Sequence, residues 1–284
     1  MAPRIIVYSS LTESDSVRDF FIFIHQIKED AMIRPERKEL QQLKESGQYK
    51  TVPLSMEILS DIKTPIEVLR ILQNVSSHCY LLESISDNEE WGRYTFLGYD
   101  PSLEITCQDG HMKAGSLSFD TKDPGHFIRQ ILQEHKSPRF NYLPSFTGGL
   151  VGYFSYDYLK YAEPSLHLDA VDTEGFKDVD LMLFDKVIAF DNYRQKIILI
   201  VNISLEHLDA EYNNGLLKLQ QMADLIRNGQ AAKTQPGHCL TDFKPLFQEK
   251  EYCEMVEKAK HHIKEGDIFQ IVLSNRLEAE FSGS

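Results

Sequence analysis

Few side chains in this sequence have the type and placement to do chemistry, and those few sit at the ends of apolar stretches. In Leu81-Leu82-Glu83-Ser84 a carboxylate and a hydroxyl close an otherwise apolar strand. Burying a lone carboxylate is costly, so Glu83 must stay solvated, be paired or accept hydrogen bonds. Strand alternation sends Glu83 and Ser84 to opposite faces. Two readings stay open there: a strand running out into solvent, or a polar corner that orients a small ligand. Gln270 is a neutral amide on the polar side of an alternating stretch. It could hydrogen-bond a substrate but could not activate water as a base, because it does not titrate. Glutamine on a polar strand face equally needs no functional explanation.

Other tempting groups carry less. Gly148-Gly149 and Gly152 follow the order G-G-x-x-G with no G-K-[ST] behind them, so close packing of a strand is expected, not a phosphate loop. His261 and His262 are adjacent on a helix, about 100° apart, and cannot chelate one metal as an i, i+4 pair does. One is expected at the surface and the other partly buried. Trp91, which opens a strand, is expected to be a partly buried anchor. No Ser/His/Asp set, paired acid and base carboxylates or metal cluster stands out.

The elements that must position these groups read as follows. An amphipathic helix is expected over Arg34 to Ser46 and a strand over Thr51 to Ile58. Thr64, Pro65 and Glu67 spell a capping box with proline at the first helical position. CYLLES, WGRYTFLGYDP and SLEITCQ read as three successive strands in a hairpin meander. A helix follows near Gly125 to His135, then the glycine-rich run Phe146 to Asp157 and an acidic loop from Glu163 to Asp180. LMLFDKVIAFDNYRQKIILIV reads as two long strands around the turn Asp191 to Gln195. Leu208, Tyr212, Leu216, Leu219, Met222 and Ile226 mark one helical face, stopped at Asn228-Gly229. Tyr252, Val256, Ala259 and Ile263 mark another, ended by Gly266. From Phe269 to Phe281 a strand is expected, with Phe269, Ile271, Leu273, Leu277, Ala279 and Phe281 on one face and Gln270, Ser274, Arg276, Glu278 and Glu280 on the other.

The fold class expected is α+β: mostly antiparallel sheets with packed helices, and incomplete, because the last strand runs into Ser284 without room for partners. Four segments are expected: an extension over 1–31, a first domain over 32–230, a linker over 231–245 within the polar stretch Gly229 to Pro245, and the start of a second domain over 246–284.

Composition narrows the partners. The 284 residues are 42% hydrophobic and 26% charged, which is globular material. Forty-three acids against thirty bases give a net charge of -13, which disfavours nucleic acid as the main partner. Cys79, Cys107, Cys239 and Cys253 lack metal-ligand spacing and are expected to be buried free thiols in a reducing compartment. No apolar run approaches the roughly 20 residues of a membrane helix, so a soluble, cytoplasmic protein is expected.

Five collinear segments, YKTVPLSMEILSDIKTPIEVLRIL, YLLESISDNEEWGRYTFLGYDP, FTGGLVGYFSYDYLKYAEP, DLMLFDKVIAFDNYRQKIILIVNI and EGDIFQIVLSNRLEAEFSGS, resemble anthranilate synthase component I, the chorismate-using subunit of tryptophan biosynthesis. Residues 1–31 find no counterpart. The resemblance implies that Glu83 and Ser84 line a feedback site for L-tryptophan, in the domain over 32–230. Eleven residues beyond Ser84, where the family usually has serine, stands Thr95, which keeps the hydroxyl and adds a methyl.

The resemblance also gives Gln270 a role. Related isochorismate and salicylate synthases carry a water-activating lysine in this strand, and glutamine in its place fits an enzyme whose nucleophile is ammonia. That ammonia, supplied by a glutamine amidotransferase subunit (component II), adds to chorismate with loss of the ring hydroxyl, and pyruvate is then eliminated. Mg2+ is implied as the cofactor that neutralises a substrate carboxylate. Its ligands, the acid and base groups and the chorismate-binding arginine and glycine motifs are expected beyond Ser284, so the chain by itself is not expected to turn over chorismate. Aminodeoxychorismate synthase component I is the close alternative, and a non-catalytic tryptophan-binding regulatory module is the alternative of another class.

Overall fold

The structure, a computed structural model, describes residues 32–61, 63–83, 92–163, 165, 166, 172, 174–233 and 235–283. Ser84, Trp91, residues 1–31 and part of the acidic loop lie outside the described residues. The chain divides between Ala232 and Lys233 into two units.

In the first unit the strands are β1 (Ile33–Arg34), β2 (Thr51–Leu59), β3 (Cys79–Leu82), β4 (Tyr94–Tyr99), β5 (Leu103–Gln108), β6 (His111–Ala114), β7 (Leu117–Asp120), β8 (Gly149–Phe154), β9 (Val179–Phe184), β10 (Lys186–Asp191) and β11 (Lys196–Ser204). They form two sheets, ordered β1-β2-β11-β10-β4-β3 and β7-β6-β5-β9-β8, with every neighbouring pair antiparallel. The helices are α1 (Arg37–Ser46), α2 (Pro65–Leu72), α3 (Pro124–Glu134), α4 (Leu159–Ala162) and α5 (Leu208–Asn228). The class is α+β, as the pattern of strands and scattered helices predicts.

One face of the six-stranded sheet buries Leu54, Met56, Leu97, Ile188 and Leu199 against Leu216, Leu219, Met222 and Ile226 of α5, with Leu40 of α1 and Val68 of α2. These α5 residues are the stripe expected at spacings of three and four. Helix α2 starts where its sequence says: Thr64 Oγ1 accepts the Glu67 N–H at 3.3 Å, and the Glu67 carboxylate accepts the Thr64 N–H at 2.9 Å. That backbone bond, the largest influence on the group, holds the Glu67 carboxyl below its ordinary range. Proline inside β2 is tolerated for a geometric reason. The bond from Leu205 N–H to Lys50 O fixes the β2–β11 alternation so that Pro53 faces away from β11, where its missing N–H is not required.

Two expectations about connectivity fail. β4 does not pair with β5. β4 already has β3 and β10 on its two sides, so the chain leaves its sheet through Asp100, at φ 51, and Pro101. It enters the five-stranded sheet at Leu103, where the Ser102 N–H donates to Leu183 O at 2.8 Å. The expected long strand LMLFDKVIAF is likewise broken at Asp185 into β9 and β10, one in each sheet. The five-stranded sheet packs Ile105, Met112, Val179 and Leu181 on Ile128 and Ile131 of α3.

The second unit holds β12 (His238–Cys239), β13 (Lys244–Pro245), α6 (Glu249–Glu265), β14 (Leu277–Glu278) and β15 (Phe281–Ser282), with β12 paired to β15 and β13 to β14. The expected strand over Phe269 to Phe281 survives only as those last two short pieces. Apolar alternation describes two faces but does not supply ladder partners, and residues 269–276 have no ladder partner among the described residues. The cysteine expectation also needs correction: Cys107 is buried and Cys79 half-buried, but Cys239 and Cys253 are exposed.

Candidate functional site

Of the sequence-predicted site residues, Glu83 and Thr95 lie at one end of the six-stranded sheet. β3 and β4 pair with Leu81 opposite Leu97 and Leu82 opposite Phe96. The ladder ends there, so Glu83 follows β3 by one residue while Thr95 adjoins Phe96 on β4. Glu83 is exposed. Thr95 is 1% exposed, and its hydroxyl accepts a bond from Asn192 Nδ2 at 3.3 Å. Ser84 lies outside the described residues.

Around Thr95 the sheet end is fixed by groups that sequence reasoning did not single out. Arg93 donates to Asp191 through Nε at 3.0 Å and Nη2 at 2.6 Å, and Asp191 also accepts the Arg194 N–H at 3.1 Å. The Asp191 side chain is 1% exposed. Burial alone would raise its carboxyl, but the bonds from Arg93 and Arg194 and the charges of both arginines more than offset this and hold it below the ordinary carboxylate range. The guanidinium is raised in turn, first by its bond to Asp191. It also lies over the Tyr94 ring, 4.8 Å from the centroid. The Asn192 N–H donates to Arg93 O at 2.9 Å, so the β10–β11 turn is latched to the start of β4.

Next to this latch is an open cleft of about 270 Å³ between the start of α2 and the β10–β11 turn. It is lined by Ser60, Asp61, Lys63, Thr64, Pro65, Glu67, Phe190, Asn192 and Gln195. Its lining includes Lys63 and Asp61, while the Glu67 carboxylate is already engaged by Thr64 and Phe190 is buried.

Gln270 belongs to the second unit, where it is exposed in the segment between α6 and β14. It is therefore not on the polar face of a strand, as the alternation implied. His261 is exposed and His262 half-buried, as expected. Gly152 fulfils the packing role foreseen for it: a Cβ there would lie 2.0 Å from Asp180 O on β9.

Two further polar clusters had escaped notice. Buried Asp178 accepts from Tyr161 Oη at 2.6 Å and from the Asp109 N–H at 2.8 Å, and pairs with Lys160 Nζ at 2.9 Å. Burial, and then the bond to Asp178, push the Tyr161 phenol up. Every group in the cluster is satisfied, and it ties α4 to the β5–β6 turn. That turn could have been read from Asp109-Gly110, a pair suited to two successive positive φ values, here 49 and 81. On the outer face of β6–β7, Ser118 Oγ lies 2.9 Å from His111 Nε2, and His111 Nδ1 lies 2.8 Å from Asp120 Oδ1. With 88% of the Asp120 side chain exposed, water competes for each of these bonds, and the chain of contacts trims a short edge strand. Among the described residues no group of three or more His, Cys, Asp or Glu side chains is placed to hold a metal ion. The described residues therefore offer no ligand set for the Mg2+ that the resemblance implies. No helix among them is long and apolar enough to cross a membrane.

Two antiparallel sheets exchanging strands at Asp100 and Asp185, with helices against each, define an α+β architecture. It is similar to that of anthranilate synthase component I from Streptococcus pneumoniae TIGR4, with a TM-score of 0.54 and 28% identity over 80% of this chain and 49% of that one. The sequence model described as chorismate binding enzyme matches residues 77–284, and the chain belongs to that family. Among its relatives, anthranilate synthase component 1 of Acinetobacter calcoaceticus is 33% identical over 256 residues, covering 86% of this chain and 50% of that protein. The protein of the same name from Acetivibrio thermocellus is 31% identical over 245 residues, covering 82% and 49%. The chain spans about half the length of the curated relatives it matches.

Proposed function

We propose that this chain is part of a cytoplasmic anthranilate synthase component I. In that reading chorismate and ammonia, the latter released from glutamine by an amidotransferase subunit, yield anthranilate and pyruvate. The sheet end carrying Glu83 and Thr95, together with Ser84, which follows Glu83 in sequence, is its L-tryptophan effector site. The observation that supports the reading most is the family match, which spans Glu83, Thr95 and Gln270 in one stretch.

The chemistry follows from side-chain character. Gln270 stays neutral at any working pH, so it hydrogen-bonds without removing a proton from water, and ammonia is left as the nucleophile. At the effector site the exposed Glu83 carboxylate accepts the α-ammonium of an amino acid, while buried Thr95, held by Asn192, fixes the depth of the corner.

Calorimetric titration of the 284-residue chain with L-tryptophan, with L-phenylalanine as control, tests the effector site. Saturable binding of tryptophan alone is expected, weakened about tenfold or more by Glu83→Gln, a loss of about 1.4 kcal/mol. Absence of binding to the parent chain, or equal affinity in the variant, refutes the site. In an enzyme of the relatives' full length that carries this chain, Ser84→Arg is expected to abolish tryptophan inhibition and spare anthranilate formation, followed by fluorescence with chorismate and ammonium. An amino-substituted chorismate that keeps its enolpyruvyl group, with no release of pyruvate, would instead establish the aminodeoxychorismate alternative.

A further inference from the structure

We propose that Ser118, with His111 as its base, is a nucleophile toward small activated acyl donors such as aryl esters. The proposal stands apart from family membership and from the effector-site reading. Spacing along the chain did not mark Ser118, His111 and Asp120 as a set; the β6–β7 hairpin brings them together.

In that hairpin His111 lies directly opposite Asp120, and Lys113 opposite Ser118. All four residues are exposed while Met112 and Ala114 are buried, so the four share the outer face. The Thr121 N–H donates to Gly110 O at 2.8 Å, which makes His111 with Asp120, and Lys113 with Ser118, the non-hydrogen-bonded pairs, whose side chains approach most closely. The contact between His111 and Asp120 is thus set by backbone register.

Asp120 Oδ1, 2.8 Å from Nδ1, accepts the imidazole proton there and leaves the Nε2 lone pair facing Ser118 Oγ at 2.9 Å. That order of contacts is the one that activates a serine hydroxyl. The same alternation turns the Ser118 N–H away from β6, to the side of β7 on which no strand lies among the described residues, where it can donate to an oxyanion. Lys113 adds positive charge on that face, which favours a leaving group that departs as an anion. As the bond from Oγ to the acyl carbon forms, the hydroxyl proton passes to Nε2 and the aryloxide leaves with its electron pair. His111 then returns that proton to solvent. Water attacks the acyl-serine, giving a proton to Nε2, and the carboxylate product leaves as Ser118 regains its proton. The site stands open on the hairpin face, so it selects by reactivity and not by shape.

The test is labelling of the 284-residue chain with diisopropyl fluorophosphate, in which the new bond from Oγ to phosphorus displaces fluoride, beside release of p-nitrophenolate from p-nitrophenyl acetate. Peptide mass spectrometry is expected to place the phosphoryl label on Ser118, and unfolding in urea to abolish it. His111→Gln, checked for folding by circular dichroism, is expected to slow both reactions about a hundredfold. Asp120 is a positioning residue exposed to water, so Asp120→Ala is expected to slow them only about fivefold, and Asp120→Asn, which still accepts from Nδ1, to recover part of the loss. Label on other residues with Ser118 unmodified, labelling as fast in the unfolded chain, or parent rates in His111→Gln would each overturn the proposal.

Discussion

Replacing Arg93 with leucine isolates the latch at the sheet end. The variant leaves the Asp191 carboxylate, 1% exposed, with the Arg194 N–H at 3.1 Å as its remaining bond and without the two from Arg93. Removing one partner of a buried pair costs about 3–5 kcal/mol. Because the Arg93 side chain is 29% exposed, water relieves part of this, and about 3 kcal/mol is expected, including about 0.5 kcal/mol from the lost stacking on Tyr94. The pH dependence has a definite sign. In the parent chain the Asp191 carboxyl is held below its unfolded value of about 3.9, so its contribution is present above that pH and is lost as pH falls through the depressed folded value. In the variant, burial without the guanidinium favours the neutral acid, so its deficit is full at pH 7 and shrinks toward pH 4. Urea unfolding followed by circular dichroism at the two pH values measures both. Lys218→Ala is the control, since its 3.7 Å contact with Asp185 is part-exposed and is worth less than about 1 kcal/mol. A deficit equal at pH 7 and pH 4, or no larger than that of the control, would refute the argument.

Gly98 faces Tyr80 across the β3–β4 ladder, and a Cβ there would lie 2.1 Å from the Tyr80 ring. Gly98→Ala is therefore expected to cost about 2 kcal/mol in thermal or urea unfolding, recovered in the Tyr80→Leu double variant. Thr64→Ala removes the α2 cap and is expected to cost about 1 kcal/mol by the same measurement. Titration with a thiol-reactive disulfide should modify exposed Cys239 and Cys253 rapidly, and buried Cys107 only on unfolding; burial raises the Cys107 thiol pKa, which slows it further.

Local chemistry was legible. The Thr64 and Glu67 cap, the α5 stripe and the β-rich run from Cys79 were readable because each is decided by residues within a few positions of one another. Strand-to-strand assignment was not. Whether β5 continues a meander or joins another sheet depends on β10, which claims one side of β4 from about ninety residues downstream in the chain. Arg93 and Asp191, 98 positions apart, have nothing in their neighbourhoods that marks them as partners. The sequence could offer only a turn at Asp191 to Gln195, and the latch on Thr95 emerged with the fold.

Gln270 shows the opposite failure, a pattern present without its cause. Six apolar residues alternate with five polar ones from Phe269 to Phe281, as in a half-buried strand, yet Phe269 is 94% exposed, Leu277 60% and Phe281 59%. Alternation is a statement about two environments, and a strand forms only where a neighbour accepts its N–H groups and a layer covers its apolar face. Within this unit the two-residue strands Lys244–Pro245 and His238–Cys239 are the partners supplied, and they engage only Leu277–Glu278 and Phe281–Ser282. The glycine-rich strand β8 is the complementary case: its ladder is secure on one side and its open edge lacks charge. Both segments lie within the family match. Because the Ser155 N–H donates to Asp178 O, the amides of Val151 and Tyr153 face β9 while those of Leu150, Gly152 and Phe154 face away. Slow exchange at the first two and fast exchange at the other three is the pattern expected of a one-sided ladder.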